Sequence, residues 1–158
     1  QFADVLESAV AQAEISGAPL TLLLLDVDHF KQVNDSHGHA RGDACLLAIA
    51  RRLQVSFSDA GDLAARVGGE EVGVVLQAHE IEEAMERAER FRASLVQDPI
   101  VVDGIVLSMT VSIGVAGFNP ALHADVDALY HAADSAVYRA KAKGRNRVCR
   151  DMLEAVAG

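Results

Sequence analysis

The sequence predicts one α/β domain in which helices pack on a mixed, largely antiparallel sheet, an α+β sandwich. Three observations support this prediction. The 158 residues are the length of one ordinary domain, so 1–158 is taken as a single unit. A hydrophobic content of 51% is ample for a core. Helical and strand patterns alternate along the chain, in the order helix, strand, helix, hairpin, helix, strand, helix.

The N-terminal part of the chain predicts a helix and then a buried strand. Apolar residues recur at helical spacing over 2–16, and Gly17 and Pro19 end that helix. The leucine-rich run 20–27 has almost no polar alternation, which is typical of a central strand buried on both faces. A short loop or helical turn follows, and it holds Phe30, Lys31, Asn34 and Asp35.

A second helix and a glycine hairpin come next. Gly38 and Gly42 are expected to break the chain, after which residues 44–57 have helical periodicity with Asp43 at the N-cap position. The predicted inward-facing residues of this helix are Leu46, Leu47, Ala50 and Leu53. The pair Gly68-Gly69 separates two apolar runs and predicts a hairpin turn, because glycine accepts the positive φ of tight turns. We expect the whole hairpin at the centre of the sheet.

The C-terminal part predicts two helices around one strand. Residues 81–96 have the pattern of a charged amphipathic helix, and the predicted inner face is Ala84, Ala88, Phe91 and Leu95. Residues 109–116 alternate as a strand does. A last helix over 125–142 is ended by Gly144, and 147–149 predicts a terminal edge strand.

Composition excludes several classes of protein. A net charge of −9 argues against a protein that follows a nucleic-acid polymer, which needs a basic surface. No window contains 18 consecutive apolar residues, so we expect no membrane contact by this domain. Cys45 and Cys149 are too few for a disulfide framework or a zinc site and are expected to be small buried hydrophobes. The chain begins at Gln1 without a leader, and we expect a piece of a longer cytoplasmic signalling protein whose parent can carry a membrane anchor.

Carboxylates follow both the leucine run and the Gly-Gly turn. Asp26 and Asp28 end the strand, and Glu70 and Glu71 follow the turn. If the two strands are neighbours, three or four carboxylates meet at one end of the sheet and repel each other unless a hard cation neutralises them. Mg²⁺ prefers carboxylate and phosphate oxygens, and Mn²⁺ is the alternative. A later basic segment, with cations at Arg139, Lys141, Lys143, Arg145, Arg147 and Arg150, suits a triphosphate better than a polymer.

Three separated motifs carry a family resemblance. They are DVDHFKQVNDSHGHARGD at 26–43, GGEE at 68–71 and AKAKGRN at 140–146. In this order they resemble the GGDEF family of diguanylate cyclases, and the resemblance covers nearly the whole chain. It implies a nucleotidyl-cyclase, palm-like fold and an enzyme that joins two GTP molecules into cyclic di-GMP with release of two pyrophosphates.

The resemblance assigns a metal site and catalytic carboxylates. Asp26, the Val27 carbonyl and Glu70 match the family's metal ligands. Glu71 matches its second turn carboxylate, which either binds metal or activates the attacking 3′-hydroxyl. The metal would lower the pKa of that hydroxyl and stabilise charge on the phosphoryl oxygens. Taken alone, paired glutamates after a Gly-Gly turn are usually a solvated hairpin end, so the catalytic interpretation depends on the three motifs together.

The resemblance also assigns contacts to GTP. Asp43 matches the family's guanine carboxylate, which accepts the N1 and N2 hydrogens together, and Asn34 matches an amide at another guanine edge. An N-cap role for Asp43 stays as the alternative. Lys141 and Arg145 match the cations for the terminal phosphates, and their four-residue spacing would place both on one helix face. The backbone amides over 27–31, which include those of Phe30 and Lys31, are predicted to bind phosphates. Gly68 and Gly69 are predicted to allow close approach of the substrate.

Two positions depart from the family pattern. Val72 stands where the family usually has phenylalanine. The smaller apolar side chain keeps the inward face, so we expect at worst a loosened hairpin and weakened positioning, and not a lost site. Asp59 and Asp62 stand at the family's Arg-x-x-Asp product-binding motif, and an acid in place of the arginine would repel a cyclic dinucleotide. Product inhibition through that motif is therefore expected to be absent or feeble.

The remaining expectations concern partners and alternatives. One domain holds one GTP, so ring closure requires a transient homodimer, arranged by regulatory domains of the parent chain. The alternatives are a degenerate GGDEF module that binds GTP or a protein partner without turnover, and a different palm-like cyclase or polymerase. Residues given no role in chemistry include His79, His123, Tyr130 and Tyr138, of which the tyrosines are expected to pack on helices.

Overall fold

The computed structural model describes residues 1–152, and its elements follow the predicted alternation. In chain order they are α1 (Phe2–Ser16), β1 (Leu20–Val27), α2 (Phe30–His37), α3 (His39–Ser56), β2 (Asp62–Gly68), β3 (Glu71–Gln77), α4 (Ile81–Gln97), β4 (Ile100–Val102), β5 (Ile105–Leu107), β6 (Val111–Gly117), α5 (Val126–Ala142) and β7 (Arg147–Arg150).

A five-stranded sheet with the order β2-β3-β1-β6-β7 forms the centre of the molecule. β1 pairs antiparallel with β3 and β6, β2 pairs antiparallel with β3, and β7 runs parallel to β6. The predicted mixed, largely antiparallel sheet is confirmed. The central position is confirmed for β1 and β3 but is wrong for β2, which is an edge strand with only one fully buried residue.

Helices cover both faces of the sheet, which explains the unbroken leucine run. Leu23 and Leu25 of β1 pack into a cluster with α3 and α4, whereas Leu22 and Leu24 pack with α1 and α5. Successive side chains of a strand point to opposite faces, so a strand with a core on each side needs apolar residues at every position.

The helix that follows α2 differs from the prediction. α3 begins at His39, five residues before the predicted start at 44, and its N-cap is Gly38. Gly42 therefore lies inside the helix and does not break it, and Asp43 is not an N-cap. Leu47 is 51% exposed rather than inward, because the buried stripe runs through Cys45, Leu46, Ile49 and Leu53.

Short elements account for the other differences. The predicted loop or turn after β1 is a complete helix, α2. β4 and β5 form a separate two-stranded hairpin around Asp103 and Gly104, both with positive φ. Three residues are too few to show alternation, so neither strand could be predicted from the sequence. Cys45 is buried as expected, whereas Cys149 is partly exposed. None of the helices within 1–152 combines the length and apolar character that a membrane crossing requires.

Close packing of α5 on β6 depends on Gly114. A Cβ at this position would lie 2.2 Å from the Ala133 carbonyl oxygen and 2.5 Å from the Val137 nitrogen, both backbone atoms. Gly114→Ala is therefore expected to lower the free energy of unfolding by about 1–3 kcal/mol, because α5 must move away from the sheet. Urea unfolding measures this. Gly117→Ala is the control on the same strand, since its Cβ would make ordinary contacts of 3.6 Å or more. Equal stability of the two variants would contradict this packing.

His123 makes stability depend on pH. Its side chain is buried, and its Nδ1 accepts a hydrogen bond from the backbone amide of Asn119. Burial lowers the pKa of His123 below its ordinary 6.5, and the charge of Asp151 opposes this only in part. The folded state thus favours the neutral ring. The stability that this provides is present above about pH 6.5 and is lost as the pH falls through the lower folded pKa.

We expect the free energy of unfolding to fall less steeply for His123→Gln than for the wild type between about pH 7.5 and about pH 5. Glutamine keeps an acceptor for the Asn119 amide but does not titrate. Urea unfolding at a series of pH values measures the slope. Identical slopes for the two proteins would show that His123 does not contribute.

Candidate active site

The GGEE turn joins β2 to β3 one position later than predicted. Gly68 pairs with Glu71, so the two turn residues are Gly69 and Glu70 instead of the Gly-Gly pair. The pairing register shifts between Arg66 and Gly68, and this bulge moves the turn along the chain. Gly69 has a φ of 53°, which is the conformation for which glycine is suited.

Contacts on both sides fix the turn against the end of β1. The Arg66 guanidinium donates two hydrogen bonds to the Gly69 carbonyl, at 2.9 and 2.7 Å. The Val27 amide is 3.4 Å from the Glu70 carbonyl that accepts its hydrogen bond. Asp26 pairs with Glu71 in the register of β1 and β3. The structure thus brings together, at one end of the sheet, the predicted residues Asp26, Val27, Gly68, Gly69, Glu70 and Glu71.

Asp26 has one paired and one unpaired carboxylate oxygen. The ammonium group of Lys141 donates to Oδ2 at 2.5 Å. Oδ1 is buried and has no hydrogen-bond partner among the described residues. An unpaired buried carboxylate oxygen is destabilising, and a cation beside it would remove that penalty. The residues at this end of the sheet therefore fit a divalent metal ion bound by oxygen ligands.

Asp28 belongs to a different network. Its buried carboxylate accepts hydrogen bonds from Thr110 Oγ1 at 2.7 Å, Ser112 Oγ at 2.6 Å and the backbone amide of Asn146 at 3.0 Å. These contacts tie the end of β1 to β6 and to the loop before β7. With three donors the carboxylate is satisfied, so its role is structural and the acidic cluster is smaller than the four residues considered from the sequence.

Glu71 is held by Tyr130, a contact that the sequence analysis missed. The Tyr130 hydroxyl donates to Glu71 Oε1 at 2.5 Å. Burial raises the pKa of Glu71, Tyr130 opposes this, Asp134 and Asp26 raise it further, and Lys141 lowers it. The pKa of Tyr130 is itself raised, by burial and then by Glu71, so the phenol remains the donor. A carboxylate with a raised pKa and a fixed orientation suits a proton acceptor.

Asn34 and Asp43 lie on α2 and α3, which pack against each other. The side-chain oxygen of Asn34 is buried and has no partner within residues 1–152. Gly42 provides the space, since a Cβ there would lie 1.9 Å from that oxygen. Asp43 follows Gly42 directly, is exposed and caps no helix. An amide and a carboxylate with free hydrogen-bonding capacity suit the edge of a guanine.

The stretch of backbone amides that can bind phosphate is shorter than the predicted range 27–31. Within 27–31, the amides of Val27 and Asp28 already donate to the carbonyls of Glu70 and Thr110. Within the described part of the chain, the backbone amides from His29 to Lys31 donate to no backbone carbonyl outside the helix. His29 has a left-handed φ of 55° and α2 begins at Phe30, so these amides form a helix N-terminus.

The argument that Lys141 and Arg145 share a helix face is wrong. α5 ends at Ala142, and Arg145 lies beyond it with a φ of 65°. The segment nevertheless borders the site, because Lys141 reaches Asp26 and the Asn146 amide reaches Asp28.

Comparison with known proteins is consistent with this geometry. The family model described as "Diguanylate cyclase, GGDEF domain" matches residues 1–147. The chain belongs to the GGDEF family.

Two curated relatives and one solved structure illustrate the similarity. This GGDEF domain is 41% identical to Diguanylate cyclase DgcP of Pseudomonas aeruginosa over 143 residues, which are 90% of the chain but 21% of that protein. It is 41% identical to Diguanylate cyclase A of Treponema denticola over 129 residues, 82% of the chain and 34% of that protein. The GGDEF domain of DgcB from Caulobacter crescentus in complex with c-di-GMP aligns with a TM-score of 0.86 and 31% identity, over 94% of this chain and 87% of that one.

These comparisons confirm the predicted fold. The chain spans about a fifth of the length of DgcP and about a third of that of Diguanylate cyclase A. In both relatives, the matching part is thus a minority of the protein.

Proposed function

We propose that this GGDEF domain is the catalytic domain of a diguanylate cyclase, which condenses two GTP molecules into cyclic di-GMP and releases two pyrophosphates. The observation that carries the proposal is the position of Asp26, Glu70 and Glu71 at the same end of the sheet, with an unpaired buried oxygen on Asp26. The names of the curated relatives support the same reaction.

A divalent ion, Mg²⁺ or alternatively Mn²⁺, would be held by the Asp26 carboxylate, the Val27 carbonyl and Glu70. When bound it would lower the pKa of the attacking hydroxyl and neutralise charge on the phosphoryl group. In the structure, the ammonium group of Lys141 pairs with the carboxylate of Asp26. A metal ion bound to that carboxylate would compete with the ammonium group. We infer that Lys141 then turns to the terminal phosphates, together with Arg145.

The remaining residues orient the reactants and move the proton. Asp43 would accept the N1 and N2 hydrogens of guanine, and the Asn34 side-chain amide would hydrogen-bond another guanine edge. The backbone amides from His29 to Lys31 would bind phosphate oxygens. The 3′-oxygen attacks the α-phosphorus and the bond to pyrophosphate breaks. Glu71 would take the hydroxyl proton, with its second oxygen held by the Tyr130 hydroxyl.

The reaction needs two copies of the domain. One site holds one GTP, so each hydroxyl must meet the α-phosphate of a GTP bound by a second copy. We propose a transient homodimer whose formation is controlled by regulatory domains of a longer cytoplasmic protein.

Product analysis tests the proposal. The purified domain is incubated with Mg²⁺ and either GTP or ATP, and the products are separated by chromatography. We expect cyclic di-GMP from GTP, no cyclic product from ATP, and no product from Glu70→Ala. GTP binding without any product would favour the degenerate module instead.

Val72 is the departure from the family pattern that best supports this alternative. Its side chain is 1% exposed and belongs to the core cluster on one face of the sheet. The adjacent turn is fixed by Arg66 and Val27. Nothing in these contacts indicates a loosened hairpin.

A further inference from the structure

A second group of ligand-type side chains lies at the other end of the sheet. Asp59, Asp62 and His79 each bring one potential ligand atom within 4.8 Å of the others. Asp62 pairs with Leu76, five residues along β3 from Glu71. At 3.3–3.4 Å per strand residue the group is about 17 Å from the GGEE turn. It is therefore separate from the site proposed for GTP.

Asp62 is the most constrained member of the group. Its side chain is fully buried. Oδ2 accepts hydrogen bonds from Arg87 Nη2 at 2.9 Å and from the Asp59 amide at 3.1 Å. Oδ1 has no hydrogen-bond partner within the described residues. A buried carboxylate oxygen without a partner is destabilising, so this atom has an unmet requirement for a cation or a donor.

The unpaired oxygen faces the imidazole of His79. Asp62 Oδ1 and His79 Nε2 are 3.5 Å apart, too far for a good N–H···O hydrogen bond. Two ligands at about 2.0–2.1 Å from a tetrahedral zinc ion are themselves about 3.3–3.4 Å apart. The observed separation is thus close to the spacing of two ligands of one metal ion.

Glu83 lies beside the other ring nitrogen of His79, where metal-bound histidines usually have a partner. The Nδ1 of His79, two residues before α4, is 3.1 Å from Oε1 of Glu83 in the first turn of that helix. The contact is not aligned as a hydrogen bond, and the Glu83 side chain is exposed, with room to reorient. A carboxylate on Nδ1 fixes the tautomer that leaves the Nε2 lone pair for a metal.

Arg87 competes for the same group. Its Nη1 is 3.4 Å from His79 Nε2 and 3.7 Å from Asp59 Oδ2. The guanidinium is also anchored outside the group, by the Ser56 carbonyl at 3.3 Å and by the Phe57 ring, whose centroid is 4.8 Å away. The group contains one arginine and three carboxylates, those of Asp59, Asp62 and Glu83. Two negative charges are therefore left unbalanced. That is the charge a divalent cation would neutralise.

We propose that Asp59, Asp62 and His79 form a second metal site, which binds a divalent transition metal and prefers Zn²⁺ to Mg²⁺. An imidazole and two carboxylates are suitable zinc ligands, whereas Mg²⁺ favours an all-oxygen octahedron. The ion would join the start of β2 to the loop before α4. It would stabilise the domain independently of GTP.

Zinc binding to the Glu70→Ala variant tests this, because that variant lacks a ligand of the catalytic site. We expect calorimetry to show one tight Zn²⁺ per chain, a raised melting temperature with Zn²⁺ but not with equal Mg²⁺, and visible absorption bands typical of four-coordinate Co²⁺. Adding His79→Gln should weaken Zn²⁺ binding at least about tenfold and remove the thermal shift. His131→Gln, which changes an exposed histidine on α5, is the control and should change neither.

The second variant is Asp59→Asn. We expect it to fold, because the Asp59 side chain is 65% exposed. It should also weaken Zn²⁺ binding. The proposal is overturned if Zn²⁺ does not bind, or if His79→Gln and Asp59→Asn bind it as tightly as the parent. These results do not depend on whether the domain makes cyclic di-GMP.

Discussion

Glu71→Gln is expected to lower the kcat for cyclic di-GMP synthesis by about 10²- to 10⁴-fold, the usual contribution of a general base. Glutamine has the same size and can still accept the hydrogen bond from Tyr130, but it cannot take the hydroxyl proton. The affinity for GTP should not change, since this side chain makes no predicted contact with the guanine or the phosphates. Initial rates at saturating GTP and calorimetric titration measure the two quantities.

Tyr130→Phe is the matched second variant, because it removes only the hydroxyl that contacts Glu71 and keeps the ring. We expect kcat to fall by about tenfold, the effect of losing one hydrogen bond to a charged group. That hydrogen bond opposes the rise in the pKa of Glu71. Its loss should raise the pKa further and move the acidic limb of the kcat profile to higher pH. An unchanged kcat in Glu71→Gln would exclude Glu71 as the proton acceptor.

Gly42→Ala is expected to raise the KM for GTP by about 5- to 150-fold, which corresponds to the loss of one good contact to a base. The added Cβ would lie 1.9 Å from Asn34 Oδ1, so the amide must leave its position. Stability should not fall much, because alanine is favoured over glycine inside a helix. Steady-state kinetics with GTP and urea unfolding distinguish the two effects.

A double-mutant cycle with Asn34→Ala separates this explanation from a general distortion of α3. If Gly42→Ala acts through Asn34, each single variant should weaken GTP binding similarly and the double variant should lose no more. Additive losses would show that the two residues act independently, and would contradict the role of Gly42 as the space for the amide.

The parts of the fold that were predicted correctly have long, regular patterns. α1 and α4 show apolar residues at a constant helical period, and packing follows that period directly. β1 is a leucine-rich run with almost no polar alternation, as a strand buried on both faces requires. α3 was misplaced because Gly42 looked like a helix breaker, whereas the glycine is required by a side chain of another helix. The three-residue strands β4 and β5 have no visible period.

The candidate site shows a similar division. The motifs predicted the site residues, and the pairing of β1 with β3 places Asp26 opposite Glu71. The contact of Tyr130 with Glu71 could not be predicted, because it joins residues 59 positions apart and depends on how α5 packs on the sheet. The end of α5 at Ala142 was predicted correctly, so the shared helix face expected for Lys141 and Arg145 was inconsistent with the predicted helix itself.

A crystal structure with Mn²⁺ and a non-hydrolysable GTP analogue tests the central claim most directly. Anomalous scattering locates the metal without assumptions about the ligands. We expect a Mn²⁺ ion bound jointly by the Asp26 carboxylate, the Val27 carbonyl and Glu70, at about 2.1 Å as in magnesium sites. An ion that contacts only one of the two strands, or a nucleotide bound without any metal at this sheet end, would contradict it.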